Sequence, residues 1–142
     1  MKRATSSQAL SCLQQIFQCE MSGIVRYLHY SFMIRGHNRI PIQGWLRAQA
    51  TESMNHAVIV GEKITSLGGH PAVAIDEIHE SDIHTIEQLL EESLAHEEKA
   101  LALYRKLVKL AGTNIALEEM AREFVRMETE HVDEVRKMLV QS

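Results

Sequence analysis

The chain has 142 residues, 45% of them apolar and 24% charged, with a formal net charge of −4. That length supports one domain with a real core, and the acidic balance argues against nucleic acid as the main partner. No run reaches the roughly 18–20 apolar residues that span a membrane, and Met1 to Leu13 lack the apolar stretch of a secretion signal, so a cytoplasmic protein of one domain, residues 1–142, is expected.

Two prolines and seven glycines stand among many Ala, Leu, Glu, Lys and Met, a composition that predicts an all-α fold. A first helix runs from Thr5 or Ser6, either a suitable N-cap, to about Arg35, where Gly36-His37-Asn38 breaks it. A second starts near Pro41 and ends at Gly68-Gly69 before Pro71. The third starts near Ser81-Asp82 and ends at Ala111-Gly112, and the fourth starts at Thr113 or Asn114 and continues almost to the end. Each has about 27 to 31 residues, or about 40–45 Å at ~1.5 Å per residue. The first and last joints are short and make antiparallel hairpins. The longer segment from Gly69 to Glu80 can carry the chain from one end to the other, which predicts a four-helix bundle of two hairpins joined by a crossover.

Polar groups interrupt the apolar stripes. Glu128 and His131 lie three apart and share a face with Leu117, Met120, Phe124, Val135 and Met138. Glu20 fills a gap in the stripe Leu13, Ile16, Gly23, Tyr27, Ile34, and Glu97 fills one in the stripe Ile83, Ile86, Leu90, Leu94, Leu101, Tyr104, Val108. His56 borders Leu46, Ala50, Ser53, Ala57, Val60, Ile64 and Leu67. One such residue is often a snorkelling glutamate or a hydrogen-bonded histidine. Carboxylates and imidazoles from four helices at matched depth instead point to a buried transition-metal site, because each charge facing the core needs a partner.

With these residues in place, the chain resembles the bacterioferritins and their ferritin-like di-iron relatives over nearly its whole length. The carrying segments are Cys19-Glu20-Met21 with Tyr27 beyond, Glu52-Ser53-Met54-Asn55-His56-Ala57, Ile64-Thr65-Ser66-Leu67-Gly68-Gly69, Glu97, and Glu128-x-x-His131. The resemblance implies terminal carboxylates at Glu20 and Glu97, imidazole ligands at His56 and His131, and a bridging carboxylate at Glu128, around two irons. It implies iron binding, ferroxidase-type oxidation of Fe(II) by oxygen or peroxide, and iron storage in an oligomer. The family's second bridging glutamate falls on Ser53. Either Glu52, one position away and four before His56, replaces it, or the site lacks one ligand and the chain is a non-catalytic subunit that co-assembles with a complete partner.

Met54 occupies the place of a methionine that ligates haem b in some family members; as a residue it equally suits helix packing. The chain stops at Gln141-Ser142, where bacterioferritins carry a fifth helix. The resemblance therefore extends to twelve-subunit Dps-type mini-ferritins as well as 24-subunit shells, some with a cysteine pair near the metal. Cys12 and Cys19, seven apart on one helix, are too distant to bridge and read as buried thiols. His96 points away from Glu97 around the helix, and His29, His37, His70, His79 and His84 read as surface, end or loop groups with no assigned ligand role.

Overall fold

A computed structural model describes residues 2–140, with side chains described from residue 7 onward. Helix α1 (Lys2–Met33) begins ahead of Thr5 and Ser6, the expected caps, whose side chains lie outside the described residues. Its end comes where expected, with Ile34 N–H still bonded to the Tyr30 carbonyl at 3.1 Å and Gly36 turning left-handed at φ +105°. Helix α2 (Arg39–Ser66) carries Pro41 in its first turn, where a missing N–H removes no intrahelical bond. It closes in a Schellman turn: Gly69 N–H reaches the Ile64 carbonyl at 2.9 Å and Gly68 N–H the Thr65 carbonyl at 3.0 Å.

Helix α3 (Ile86–Leu110) starts later than the sequence suggests. Thr85 caps it by accepting from the Gln88 N–H at 3.2 Å. Ser81 and Asp82, the expected start, form a turn instead: Asp82 has φ +63°, and the Ser81 hydroxyl donates to Glu92 at 2.7 Å while accepting from the Ile83 N–H at 3.3 Å. Ile83 therefore leaves the stripe and lies exposed. Short polar side chains that bond nearby backbone favour turns over helix, which accounts for the shift. Helix α4 (Ile115–Leu139) begins as expected, with the Asn114 side-chain oxygen accepting from the Leu117 N–H at 3.0 Å. Its buried face is Leu117, Ala121, Phe124, Glu128, Val132 and Val135; Met138, expected there, is exposed near the helix end.

The four helices form the expected bundle. Helix α1 pairs with α2, α3 with α4, and α1 with α3. Early residues of one helix meet late residues of the next, as in Leu10 beside Gly69, Cys12 beside Leu103, Tyr30 bonded to Glu92, and Glu98 bonded to Arg136, so the pairs run antiparallel. The crossover spans the bundle along α1. It is tied by Gln14 to His70 and Ala72, by the Gln18 carbonyl to Asp76 N–H, and by His29 to Glu80. Apolar packing splits into two clusters. One joins Leu13, Ile16, Val60, Ile64, Tyr104, Leu107 and Phe124; the other joins Tyr27, Tyr30, Ile34, Leu46, Ala50 and Leu89. The polar residues of the next subsection lie between them.

Gly68 sits at φ +84° with nothing within 4 Å of an added Cβ, so only the backbone opposes a side chain there. Gly68→Ala is expected to destabilise the protein by about 1 kcal/mol, the cost of a left-handed alanine. A urea unfolding midpoint equal to wild type would contradict this account of the turn.

Candidate metal centre

Each helix brings one buried donor to the middle of the bundle: Glu20 from α1, His56 from α2, Glu97 from α3 and Glu128 from α4. His131, one turn beyond Glu128, completes the set with its side chain 17% exposed. The five expected residues thus converge. His56 Nδ1 lies 2.7 Å from Glu20 Oε2 and 3.5 Å from Glu128 Oε1. His131 Nδ1 lies 3.7 Å from Glu97 Oε2 and 3.6 Å from Glu128 Oε2. Two donor groups result, Glu20–His56–Glu128 and Glu97–Glu128–His131, and each has its ligand atoms within 4.8 Å of one another. Glu128 belongs to both, one oxygen facing each imidazole. The rings of His56 and His131 are parallel within 9°, their centroids 6.3 Å apart.

The neighbours hold these donors in place. Tyr104 donates to Glu20 Oε2 at 2.9 Å, and the fully buried Tyr27 donates a short hydrogen bond to Glu97 Oε1. Tyr27 was legible as a stripe residue near Glu20; Tyr104 was legible only as core, since its bond to Glu20 joins residues 84 apart in sequence. Glu52 reaches inward, but to the outer edges of the imidazoles. Its Oε1 is 3.0 Å from His131 Nε2 and 3.8 Å from His56 Nε2, while both Nδ1 atoms face the other carboxylates. Its carboxylate thus lies on the far side of both rings from Glu20, Glu97 and Glu128, and Glu52 is in neither donor group.

Ser53 is buried and faces α1 at Gly23. A Cβ on Gly23 would stand 2.8 Å from both Ser53 Oγ and His96 Nε2, so the absence of a side chain there lets α2 and α3 approach. His96 is buried, packs edge-on to Tyr27 at 5.9 Å, and lies outside both donor groups, as its helical position suggests. Met54 is 48% exposed on the outer side of α2, away from the centre. Cys12 and Cys19 are free and buried, and burial pushes both thiols up and keeps them protonated.

Burial raises the Glu20 and Glu97 carboxyls above the usual range, Glu97 further because charged Glu128 lies against it. Burial also opposes the charge on Glu128, yet its contacts with Glu97, His131 and His56 prevail and hold it low. Burial likewise disfavours imidazolium at both histidines, but Glu128 and Glu20 outweigh it at His56, taking it to about 9, and Glu128 and Glu97 outweigh it at His131, taking it to about 11. Protons therefore neutralise the centre when nothing else does.

The donor set fits a pair of transition-metal ions. Donors bound at about 2.0–2.2 Å around one ion stand roughly 3–3.5 Å apart, close to the separations seen here. Imidazole and carboxylate suit iron, zinc and manganese. Glu128 Oε2 and His131 Nδ1 are buried without a hydrogen-bond partner, and native cores rarely leave such atoms unpaired.

A ferritin-like domain profile matches residues 10–142, and the chain belongs to that family. No curated protein matches the chain significantly. Among solved structures it is similar to a ferritin-like diiron-carboxylate protein from Bacillus anthracis str. Ames, with 21% identity, a TM-score of 0.90, and 96% of this chain and 98% of that one covered. It is similar to a dodecameric thioferritin, the bacterioferritin-related protein from Bacteroides fragilis, with 18% identity and a TM-score of 0.84 over 98% of this chain and 93% of that one. The Rhodobacter capsulatus bacterioferritin, solved with a metal-free dinuclear site and heme iron, shares 21% identity and a TM-score of 0.83 over 94% of this chain and 84% of that one. At these identities the likeness establishes the fold.

A metal ion needs unprotonated Nδ1 atoms, whereas both imidazoles hold protons at neutral pH. Loading with redox-inert Zn2+ at pH 7 is expected to release protons into weakly buffered solution. Because protons compete with the metal, affinity is expected to fall with pH by about tenfold per unit for each proton displaced. A pH-independent affinity would remove the two histidines from the ligand set.

Proposed function

We propose that the chain binds Fe(II) at the bundle centre, oxidises it with oxygen or peroxide, and stores the ferric product inside an oligomer of like chains. The observation that carries this is Glu128, whose two oxygens serve two donor groups at once. Glu20, His56 and Glu128 would hold one Fe(II), and Glu97, Glu128 and His131 the other. Anionic carboxylates favour Fe(III) over Fe(II), so substrate iron gives up its electron more readily here than in water. Two adjacent Fe(II) supply two electrons, enough to take dioxygen to hydrogen peroxide or hydrogen peroxide to water.

The residues around the centre divide the remaining work. Glu52 stands on the Nε2 side of both rings, 3.0 Å from His131 and 3.8 Å from His56, and leaves the two Nδ1 atoms facing the centre. Tyr27 and Tyr104 orient Glu97 and Glu20. The two protons that the reduced oxidant takes up come from solvent, into which loading has already released those of His56 and His131. Ser53 supplies no carboxylate, which leaves Glu128 as the one bridge and lets oxidised iron leave more easily than from a doubly bridged site. Storage needs an enclosed assembly. The exposed Val25, Leu28 and Phe32 of α1, with Val58 and Ile59 of α2, offer apolar surface for contacts between chains. Cages of 12 and of 24 chains both accommodate this fold, the former supported by the dodecameric relative. Among the described residues no helix is long and apolar enough to cross a membrane.

A second role has its own observation. Met54 is half-exposed on α2 with Val58 one turn on, so two copies packed through this face could present two thioethers to one haem b, in a subunit with reduced iron activity that co-assembles with a complete one.

Glu128→Ala removes the shared donor and is expected to cut binding from two Fe(II) per chain to one or none and to bring oxidation down to the buffer rate, with helicity and oligomer size unchanged. Wild-type oxidation by this variant would end the proposal. Haem reconstitution is expected to give a visible absorption band that Met54→Leu abolishes; a band that survives the substitution excludes Met54 as ligand.

A further inference from the structure

Away from the bundle centre, three more metal-capable side chains meet where the crossover docks on α1. His29 belongs to α1, nine residues past Glu20, which places it about 13 Å further along the helix at ~1.5 Å per residue. Glu80 and His84 belong to the segment ahead of α3. Glu80 Oε2 lies 3.1 Å from His29 Nε2, and Glu80 Oε1 lies 2.5 Å from His84 Nε2. The three ligand atoms lie within 4.8 Å of one another. We propose that His29, Glu80 and His84 form a second transition-metal site, which takes a divalent cation of the zinc or ferrous class and clamps the crossover to α1.

Three features favour a cation over a simple hydrogen-bonded latch. His29 Nε2 is shut off from water and has no hydrogen-bond partner, although a carboxylate oxygen is only 3.1 Å away. The nitrogen therefore approaches Glu80 outside donor geometry, as it does when both atoms point at a common third centre. The same signature, a shielded imidazole nitrogen near carboxylates without a bond, marks His131 Nδ1 in the bundle core. Second, two imidazoles and one carboxylate from separate segments make a donor set suited to zinc or ferrous iron, with coordination positions left for water.

Third, the turn that presents the donors is built at a cost. Asp82 adopts φ +63°, unusual for a residue with a side chain, and its N–H bonds Glu80 Oε1 at 3.2 Å. Ser81 is fastened to Glu92 at 2.7 Å, and Glu92 accepts from Tyr30 at 3.0 Å, so α1, the turn and α3 are linked beside the site. The turn brings Glu80 and His84 to one side, facing His29. The three side chains are between 24% and 40% exposed, which leaves the site open to an ion arriving from solution. Because an ion joins α1 to the crossover, binding restrains a segment that otherwise has no regular structure between Gly69 and Thr85.

The test uses the assembled protein, soaked or titrated with Zn2+, beside a His29→Ala/His84→Ala variant. Anomalous scattering from wild-type crystals is expected to show zinc between the three side chains, and the variant to lose that peak while keeping any in the core. In solution the variant is expected to bind one Zn2+ fewer per chain, and zinc to slow hydrogen exchange of residues 79–84 in wild type only. No zinc at His29 in wild type, or an equal stoichiometry in both proteins, overturns the site. Zinc bound with unchanged exchange overturns the clamp. Both results can be read whether or not the core binds metal, and the partly exposed positions allow the variant to fold; Glu80→Gln, which keeps the side-chain shape, is expected to weaken the same peak.

Discussion

Three carboxylates packed into the middle of a helical bundle set the terms for everything else in this molecule. Glu20, Glu97 and Glu128 are each buried, and an uncompensated buried charge costs several kcal/mol. Positive charge must therefore be present at that depth. Part of it is carried by His56 and His131, whose imidazolium forms the neighbouring carboxylates favour, and burial eases the demand further by pushing the Glu20 and Glu97 carboxyls upward. In the loaded protein it would arrive as cations, which displace those protons and satisfy Glu128 Oε2 and His131 Nδ1 as well. On the function proposed above, protons and metal compete at this centre for one set of donors.

Packing is arranged to make that layer tolerable. Apolar clusters close it off above and below, so the polar atoms face one another and little else. Phe124 lies against both His56 and Tyr104, with centroids at 4.9 and 4.6 Å, and so forms the apolar wall under the donors. Tyr27 and Tyr104 carry hydroxyls to Glu97 and Glu20, each pairing a residue that fits the core with a donor that suits a carboxylate. Gly23 keeps space for Ser53 and His96 on the same level. The interior is thus specified by hydrogen bonds where an ordinary bundle has only leucines.

The crossover is held by a different device. It has no helix or strand to satisfy its backbone, and it rests on α1 through scattered contacts: Gln14 near its start, Gln18 at its middle, His29 near its end. Lys99 adds an ion pair to Asp76 at 2.7 Å from the α3 side. A surface pair of this kind contributes about 1 kcal/mol or less, so the His29, Glu80 and His84 contact gains importance as a point where an ion can add a stronger restraint.

The sequence by itself determined the four helices and the breaks between them, because these follow from periodicity and from Gly, Pro and Asn at the breaks, all of which act within a few residues. Gly68, Asn114 and the Glu128-x-x-His131 pair were legible for that reason. So was the convergence of one donor per helix, since antiparallel rods of similar length cross near their middles. Where α3 begins was not, because local bonds of Ser81 and Asp82 compete with helix formation on nearly equal terms. The task of Glu52 depended on the rotation of α2 against α4, which puts its carboxylate beside two Nε2 atoms and leaves Ser53 facing Gly23. Glu80 and His84 show four-residue spacing in the sequence, but His29 lies some fifty positions earlier, and only the course of the crossover brings them together. Local periodicity chose which side chains face inward; the fit between helices chose which atoms meet.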